Sequence, residues 1–311
     1  MHPLLTPGTH VLRRRDGGVQ IGLGPHRSTT VSPGEAEPDA LAPQQGCPAL
    51  ASPDLRRRLV EQGLAADDDT ALRAALPADR AESRWQRHTV AALFADDPTQ
   101  LSARTAERTT KRFRVRGFGH PLDESLREDL IAVLLRAGLT PGGPKPPGPP
   151  PRNHVPSEPV HVLLGVGEPR RDLTDPLMRE AVPHLVVRLC EGRAVLGPFV
   201  LPGLTACLRC LDAHLADDDP SWPLLVEQYS SASRRDRADG VPEPVDATLA
   251  ALAVAWASRE LTTYAEGGTP PTLGRTLTLQ ARGDAVETRV WGHHPRCGCA
   301  WTGSARLGVP A

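Results

Sequence analysis

Residues 111–139 read KRFRVRGFGHPLDESLREDLIAVLLRAGL, and this stretch decides the fold. Phe113 and Val115 alternate with arginine, the period of a strand with one buried face. The strand enters Gly117-Phe118-Gly119, and a helix follows. Asp123 is placed to cap that helix, Leu126, Leu130 and Leu134 recur on one face, and Gly138 is placed to end it. Strand, glycine turn and helix together open a parallel α/β sheet. In that setting glycines let backbone N–H groups approach a phosphate at a helix N-terminus, which makes Gly117 and Gly119 the candidate nucleotide residues. The fingerprint is damaged. Leu122 stands where a third glycine belongs, and Asp123 and Glu124 put negative charge at the phosphate end of the helix. Where a ribose-binding acid is expected, residues 141–159 carry nine prolines, which predicts an extended linker or surface loop. A structural turn is the plainer reading of the glycines than a working nucleotide site.

Working toward the C-terminus, residues 160–167 (VHVLLGVG) read as a buried strand. Residues 183–200 read as two strands about Glu191-Gly192. A long helix capped by Asp246 follows, and residues 275–280 and 285–290 form a closing hairpin. Gly165 to Pro169, followed by Arg170-Arg171-Asp172, lies just past a strand, where a ligand crevice can open.

Four cysteines fall in two tight pairs, Cys207-x-x-Cys210 and Cys297-x-Cys299. Four thiolates close a tetrahedral zinc site with no open position, so such a site is structural rather than catalytic. The competing readings are a redox CxxC, which needs one exposed low-pKa thiol and no second pair, and unrelated buried thiols. His293 and His294 stand close enough in sequence for one of them to replace a thiolate. Cys47 and Cys190 read as ordinary residues of a loop and a strand.

Toward the N-terminus, residues 10–23 form two short strand-like runs about Asp16-Gly17-Gly18, a hairpin signal. Residues 32–53 are a polar, proline-rich loop. Three helical stretches follow: one with Leu55, Leu59 and Val60 on a face, one with Leu72 and Leu76, and one with Trp85, Thr89 and Leu93 in a stripe beside Val90 and Phe94. Strands followed by three short helices resemble a winged-helix-like unit. The expected division is residues 1–110 and 111–311, the second with its Pro-rich loop at 141–159.

The 311-residue length suits two domains. Lys+Arg total 36 and Asp+Glu 37, a formal net charge of −1, which supplies no global field for nucleic acid or an anionic membrane. Lysine occurs only at Lys111 and Lys145, so a lysine on phosphate or as a nucleophile has few candidates. The longest apolar run, Leu249 to Ala257, is far short of the ~20 residues that span a bilayer. With no apolar targeting segment at the start, the expectation is a soluble, cytoplasmic protein. The acidic runs Asp67–Asp69 and Asp217–Asp219 read as solvated helix ends rather than metal sites, and no nucleophile-elbow, zincin or Walker motif is present.

GFGH after a strand, then VPHLVVRLCEGRAVLGPFVLPGLTACLRCLDAH, then HHPRCGC, resembles the ThiF-like fold of ubiquitin-activating-type adenylyltransferases. It is most similar to the ThiF-like proteins of azole-modified bacteriocin pathways. The resemblance covers most of residues 111–302 and, more loosely, the first 110. It implies a Rossmann-type α/β sheet domain behind an N-terminal winged-helix-like α+β domain. It implies zinc on Cys207, Cys210, Cys297 and Cys299, and vestigial nucleotide glycines at Gly117 and Gly119. It implies that the N-terminal domain binds the leader of a ribosomal precursor peptide. The protein would then present the precursor to a YcaO-type cyclodehydratase that does the ATP chemistry, and a homodimer is in keeping with the family.

The missing third glycine and ribose acid argue that this chain does not adenylate, so ATP is not an expected cofactor and no residue is assigned as catalytic. The expected peptide site is an exposed sheet edge at Val19 to Leu23, with Val19 and Ile21, walled by Trp85 and Val90 of the third helix. Two other readings stay open. One is an active adenylyltransferase that activates a carboxylate with ATP. The other is a winged-helix regulator that binds nucleic acid, against which the near-neutral charge argues.

Overall fold

The computed structural model describes residues 4–25, 27–32, 52–142, 159–232, 239–280 and 285–302. It divides into two compact units, Met1–Ala106 and Glu107–Ala311.

In chain order the first unit holds β1 (Leu4–Leu5), β2 (Val11–Arg13), β3 (Val19–Gly24), β4 (Arg27–Val31), α1 (Pro53–Glu61), β5 (Ala65–Ala66), α2 (Thr70–Ala75) and α3 (Arg84–Asp96), with α4 (Leu101–Thr110) at its end. β2 and β3 form the expected hairpin: Arg14 N–H donates to Gly18 O, Gly18 N–H donates to Asp16 Oδ1 at 3.0 Å, and Gly17 takes a φ of 79°. β4 pairs on the other side of β3, and β1 pairs with β5. The alternating apolar residues of β3 and β4 turn Val19, Ile21 and Val31 inward against Leu55, Leu59 and Leu64. A second cluster joins Leu72 to Val90, Leu93, Phe94 and Leu101. Pro53 opens α1, where a missing N–H costs nothing. Most of the proline-rich 32–53 stretch, including Cys47, lies outside the described residues.

The second unit is built on β6 (Arg112–Arg116), α5 (Asp123–Arg136), β7 (Thr140–Pro141), β8 (Val160–Val166), α6 (Arg171–Arg179), β9 (His184–Cys190), β10 (Arg193–Val200), α7 (Leu208–Asp218), α8 (Trp222–Ala232), α9 (Ala247–Ala265), β11 (Arg275–Leu279) and β12 (Val286–Val290). One seven-stranded mixed sheet runs β12-β11-β10-β9-β8-β6-β7. β7, β6, β8 and β9 are parallel to one another, and the rest of the sheet is antiparallel. The β9–β10 reversal uses Glu191 and Gly192 at φ 51° and 70°, the two left-handed positions of a tight hairpin. Pro141 sits on the edge strand β7, where a proline is tolerated. Residues 143–158 of the expected Pro-rich loop lie outside the described residues.

Every residue of β8 is buried, as a central parallel strand requires. Its side chains alternate between two cores. Val160, Val162, Leu164 and Val166 meet Leu126, Leu130 and Leu134 of α5 and the alanine-rich face of α9. Leu163 packs on the opposite side with Val186, Phe118 and Leu177 of α6. The apolar run Leu249 to Ala257 is therefore a sheet-covering helix. Its cap is the one expected: Asp246 accepts from the N–H groups of Thr248 and Leu249, both at 2.9 Å. Among the described residues no helix is long and apolar enough to cross a membrane.

Candidate functional site

The glycine turn lies where β6 ends and α5 begins. Asp123 does not cap α5 as the sequence suggested. Leu122 holds the cap position, and Asp123 is the first helical residue, 6% exposed. Its carboxylate folds back into the turn. Oδ2 accepts from the backbone N–H groups of Phe118, Gly119 and His120 at 2.6, 2.8 and 3.0 Å. Oδ1 accepts from Val166 N–H at 3.0 Å, at the end of β8. The turn thus has the donors of a phosphate cradle, and a side chain of the same chain already uses them. The glycines are shaped to this carboxylate. A Cβ on Gly117 would lie 2.5 Å from Asp123 Cβ, and one on Gly165 would lie 2.8 Å from Asp123 Oδ1 and from the Phe118 ring.

The crevice expected after β8 is spanned by an ion-pair chain. Glu168 pairs with Arg188 of β9 at 2.6 Å and with Arg171 of α6 at 3.2 Å. Arg171 grips Asp212 of α7 with two bonds of 2.6 Å, and Trp222 Nε1–H donates to Asp212 at 3.1 Å. All four ionic side chains are largely buried. Burial works against the Arg171 charge, but the Asp212 hydrogen bonds and Glu168 outweigh it and raise the Arg171 pKa. Beside this chain a cleft of about 620 Å³ is lined by Arg170, Arg209, Glu227, Arg296 and Cys297 among others.

The two cysteine pairs come together. Cys207 precedes α7 and Cys210 lies in its first turn, while Cys297 and Cys299 follow β12. Sulfur separations are 3.9 Å for Cys207–Cys210, 3.5 Å for Cys207–Cys297 and 3.2 Å for Cys210–Cys299. Disulfides need about 2.05 Å, so these are free thiols. A tetrahedral ion with ~2.3 Å bonds sets sulfurs about 3.8 Å apart. All four sulfurs lie within 4.8 Å of one another, so the set fits a metal ion such as zinc. A hydrogen bond from Cys207, joined by one from His294 N–H, draws the Cys210 pKa down. The same bond, together with burial, pushes Cys207 up. Burial and the bond to Cys210 push Cys299 up to about 12. His294 turns its ring away to Asp217, and the His293 ring lies 3.3 Å from Cys299 Sγ. The group of four close sulfurs contains no histidine.

In the first unit the expected peptide residues separate. Val19 and Ile21 are core residues, 1% and 0% exposed, because β3 is the central strand and is bonded to β2 and β4. The outer strands of this three-stranded sheet are β2 and β4. Val90 is buried at 8%. Trp85 is 62% exposed: it lies roughly 140° around α3 from Val90 at ~100° per residue, off the face that Leu93 and Phe94 bury. Arg27 of β4 donates to Ala95 O, in the last turn of α3, at 2.7 Å.

The class these features define is a mixed α/β fold with a four-cysteine cluster joining the start of α7 to the segment after β12. The chain matches the heterocyclase TruD with a TM-score of 0.59 at 17% identity, over 96% of this chain and 42% of that one. It matches a heterocyclase in complex with substrate and cofactor with a TM-score of 0.59 at 15% identity, over 96% and 39%. It matches E. coli MccB with a TM-score of 0.54 at 13% identity, over 100% and 99%. The chain therefore spans about two fifths of the heterocyclases and nearly all of MccB. No family model matches, and no curated protein matches. At these identities the likeness is one of fold.

Proposed function

We propose that the chain is a non-catalytic, zinc-stabilised scaffold that binds a ribosomal precursor peptide and presents it to a YcaO-type cyclodehydratase. The single observation that carries the non-catalytic part is Asp123. Its carboxylate takes the N–H groups of residues 118 to 120 and of Val166 that a nucleotide phosphate would need. A phosphate entering there would displace a buried side chain and meet its charge. No acid stands at the described end of β7, where a ribose would be held.

Support for a peptide partner comes from the neighbours, one a heterocyclase with its substrate and another MccB with N-formylated MccA. MccB is also known with AMPCPP, so nucleotide binding is the property on which this chain would differ. The peptide would add as a strand to the outer edge of β4, with α3 and the exposed Trp85 as its wall. Val19, Ile21 and Val90 would then back the site from the core. A YcaO-type partner and a homodimer belong to the same reading by likeness to the family. Zinc on the four cysteines would supply a fixed tetrahedral anchor, and those residues would hold it between α7 and the loop after β12.

The test is calorimetry of the zinc-loaded protein with ATP and magnesium, then with a precursor leader. Expected are no saturable ATP binding and saturable leader binding. Saturable ATP binding that is lost in Gly117→Val would instead establish the adenylating reading. Steeply salt-dependent binding to duplex DNA in place of leader binding would favour the regulator.

A further inference from the structure

The loop that carries Cys297 and Cys299 is tied to α7 by groups other than the cysteines. His294 is 7% exposed. Its backbone N–H donates to Cys210 Sγ at 3.4 Å, and its carbonyl accepts from Cys297 N–H at 2.9 Å. One residue thus touches both halves of the cysteine cluster. Its ring is fixed from both ends. Nδ1 accepts from Arg296 N–H at 3.1 Å, which leaves the ring proton on Nε2, and Nε2 donates to Asp217 Oδ2 at 2.8 Å. Asp217 lies on α7, two turns beyond Cys210, and its other oxygen takes the Arg296 guanidinium.

His214, Asp217 and His294 lie close enough together to resemble a second metal site. Their hydrogen bonds say otherwise. Nε2 of His294 presents a proton rather than a lone pair, and both Asp217 oxygens are engaged. His214 Nε2 meets Gly292 O at 3.0 Å, and its ring packs edge-on to His294 at 4.7 Å. The group is built as a brace.

We infer that Asp217 and His294 are positioning residues for the four-cysteine metal site. They pin the Cys297–Cys299 loop to α7 so that its sulfurs stay beside Cys207 and Cys210 and the N–H···S bond from His294 is made. Partners of this kind, one step behind metal ligands, typically change metal affinity by about 10- to 100-fold. The inference rests on the metal reading of the cysteines and goes beyond it. Asp217 is half exposed, so its replacement removes the anchor without opening a core.

The test uses the full chain loaded with zinc and follows metal transfer to a colorimetric chelator. Cobalt-substituted protein reports the ligand set by its thiolate charge-transfer bands. Expected are four-thiolate spectra in wild type, Asp217→Ala and Asp217→Asn alike. Release should be faster by at least ~10-fold in Asp217→Ala and His294→Ala. Asp217→Asn, which keeps an acceptor for Nε2–H, should fall near wild type; that rescue separates positioning from general destabilisation. If His294→Ala does not fold, the two Asp217 variants decide. Equal release from wild type and Asp217→Ala would overturn the brace alone. A wild-type protein that holds no metal would overturn the metal reading as well.

Discussion

The carboxylate of Asp123 reaches the backbone nitrogen of Val166 at 3.0 Å and so joins the turn after β6 to the end of β8. Two strands that are neighbours in the sheet are thereby also bonded at their C-terminal ends by a side chain. The same carboxylate closes the turn on itself through three further N–H groups. Asp123→Ala removes the acceptor and leaves four donors, those of Phe118 and Val166 in buried surroundings. Hydrogen bonds to a charged group contribute roughly 1.5–3 kcal/mol each, and water entering the space recovers part of that. The expected net loss is about 3 kcal/mol, read as a lower urea midpoint at unchanged slope. A loss under about 1 kcal/mol would mean the carboxylate is not the keystone of the turn.

Gly165 faces that carboxylate from β8. Its φ is ordinary for any residue, so backbone strain is not the issue; space is. An added Cβ meets Asp123 Oδ1 and the Phe118 ring at 2.8 Å. Overpacking of this kind costs about 1–3 kcal/mol. Gly165→Ala should be destabilised by that amount. In the background of Asp123→Ala the added cost should shrink, because one of the two obstacles has gone. Additive losses in the double-mutant cycle would contradict the contact.

Much of this was legible in the sequence, and the exceptions have a physical pattern. The apolar run of 160–167, the leucines four apart in α5, the Glu191-Gly192 turn and the paired cysteines each depend on local spacing. Asp before a helix favours a cap, whereas Asp123 folds back into the turn. Cap and fold-back differ in the backbone of residues 117–122, which composition does not encode. The inner place of β3 is hidden in the sequence for a similar reason. Its outer partner β4, RSTTV, is polar and carries little strand signal, so an inner strand looked like an edge. α4, LSARTAERTT, has a single buried apolar anchor in Leu101 and gave no stripe to read. The brace of His294 and Asp217 joins residues far apart in the chain, and only the fold brings them together.

Removing the metal should loosen the fold behind the sheet. Cys207, Cys210 and Leu211 pack with Val200 and Trp291, so the cluster is continuous with apolar core. Prolonged treatment with a strong chelator should lower the melting temperature by several degrees, and zinc should restore it. Cys210→Ser should carry less than stoichiometric metal and resemble the chelated protein. Indifference of the melting temperature to both would leave the thiols as plain core residues.

His161 and His184 face each other across β8 and β9 and are 7% and 0% exposed. Burial lowers both pKa values to about 4, with Arg114 and Arg116 adding to the effect on His161 and His161 itself on His184. A histidine depressed in the folded state takes up its proton more readily when unfolded, at about 6.5. The stability it contributes is complete above that value and falls as pH drops from about 6.5 through about 4. For each the loss is on the order of 3 kcal/mol at one unit per ~1.4 kcal/mol. Urea unfolding at pH 7 and pH 5 should show the decline. His184→Asn, though less stable at pH 7, should show a flatter decline over that interval; an unchanged slope would assign the acid sensitivity elsewhere, for instance to protonation of the cysteines.

Trp85 separates the peptide reading from the other two. It is the large exposed aromatic of α3, and it stands off the face that packs the unit. Removing an exposed side chain away from packed features usually changes stability by less than about 0.5 kcal/mol. Removing an aromatic anchor from a peptide site commonly costs more than about 2 kcal/mol of binding, or roughly 30-fold in Kd. Trp85→Ala should therefore melt like wild type and bind a leader at least 10-fold more weakly. The buried neighbours supply the control. Val90→Ala should lose stability, and any loss of leader affinity there should follow the fraction unfolded. If Trp85→Ala binds as tightly as wild type, the peptide does not run along α3, and the outer edge of β2 becomes the place to look.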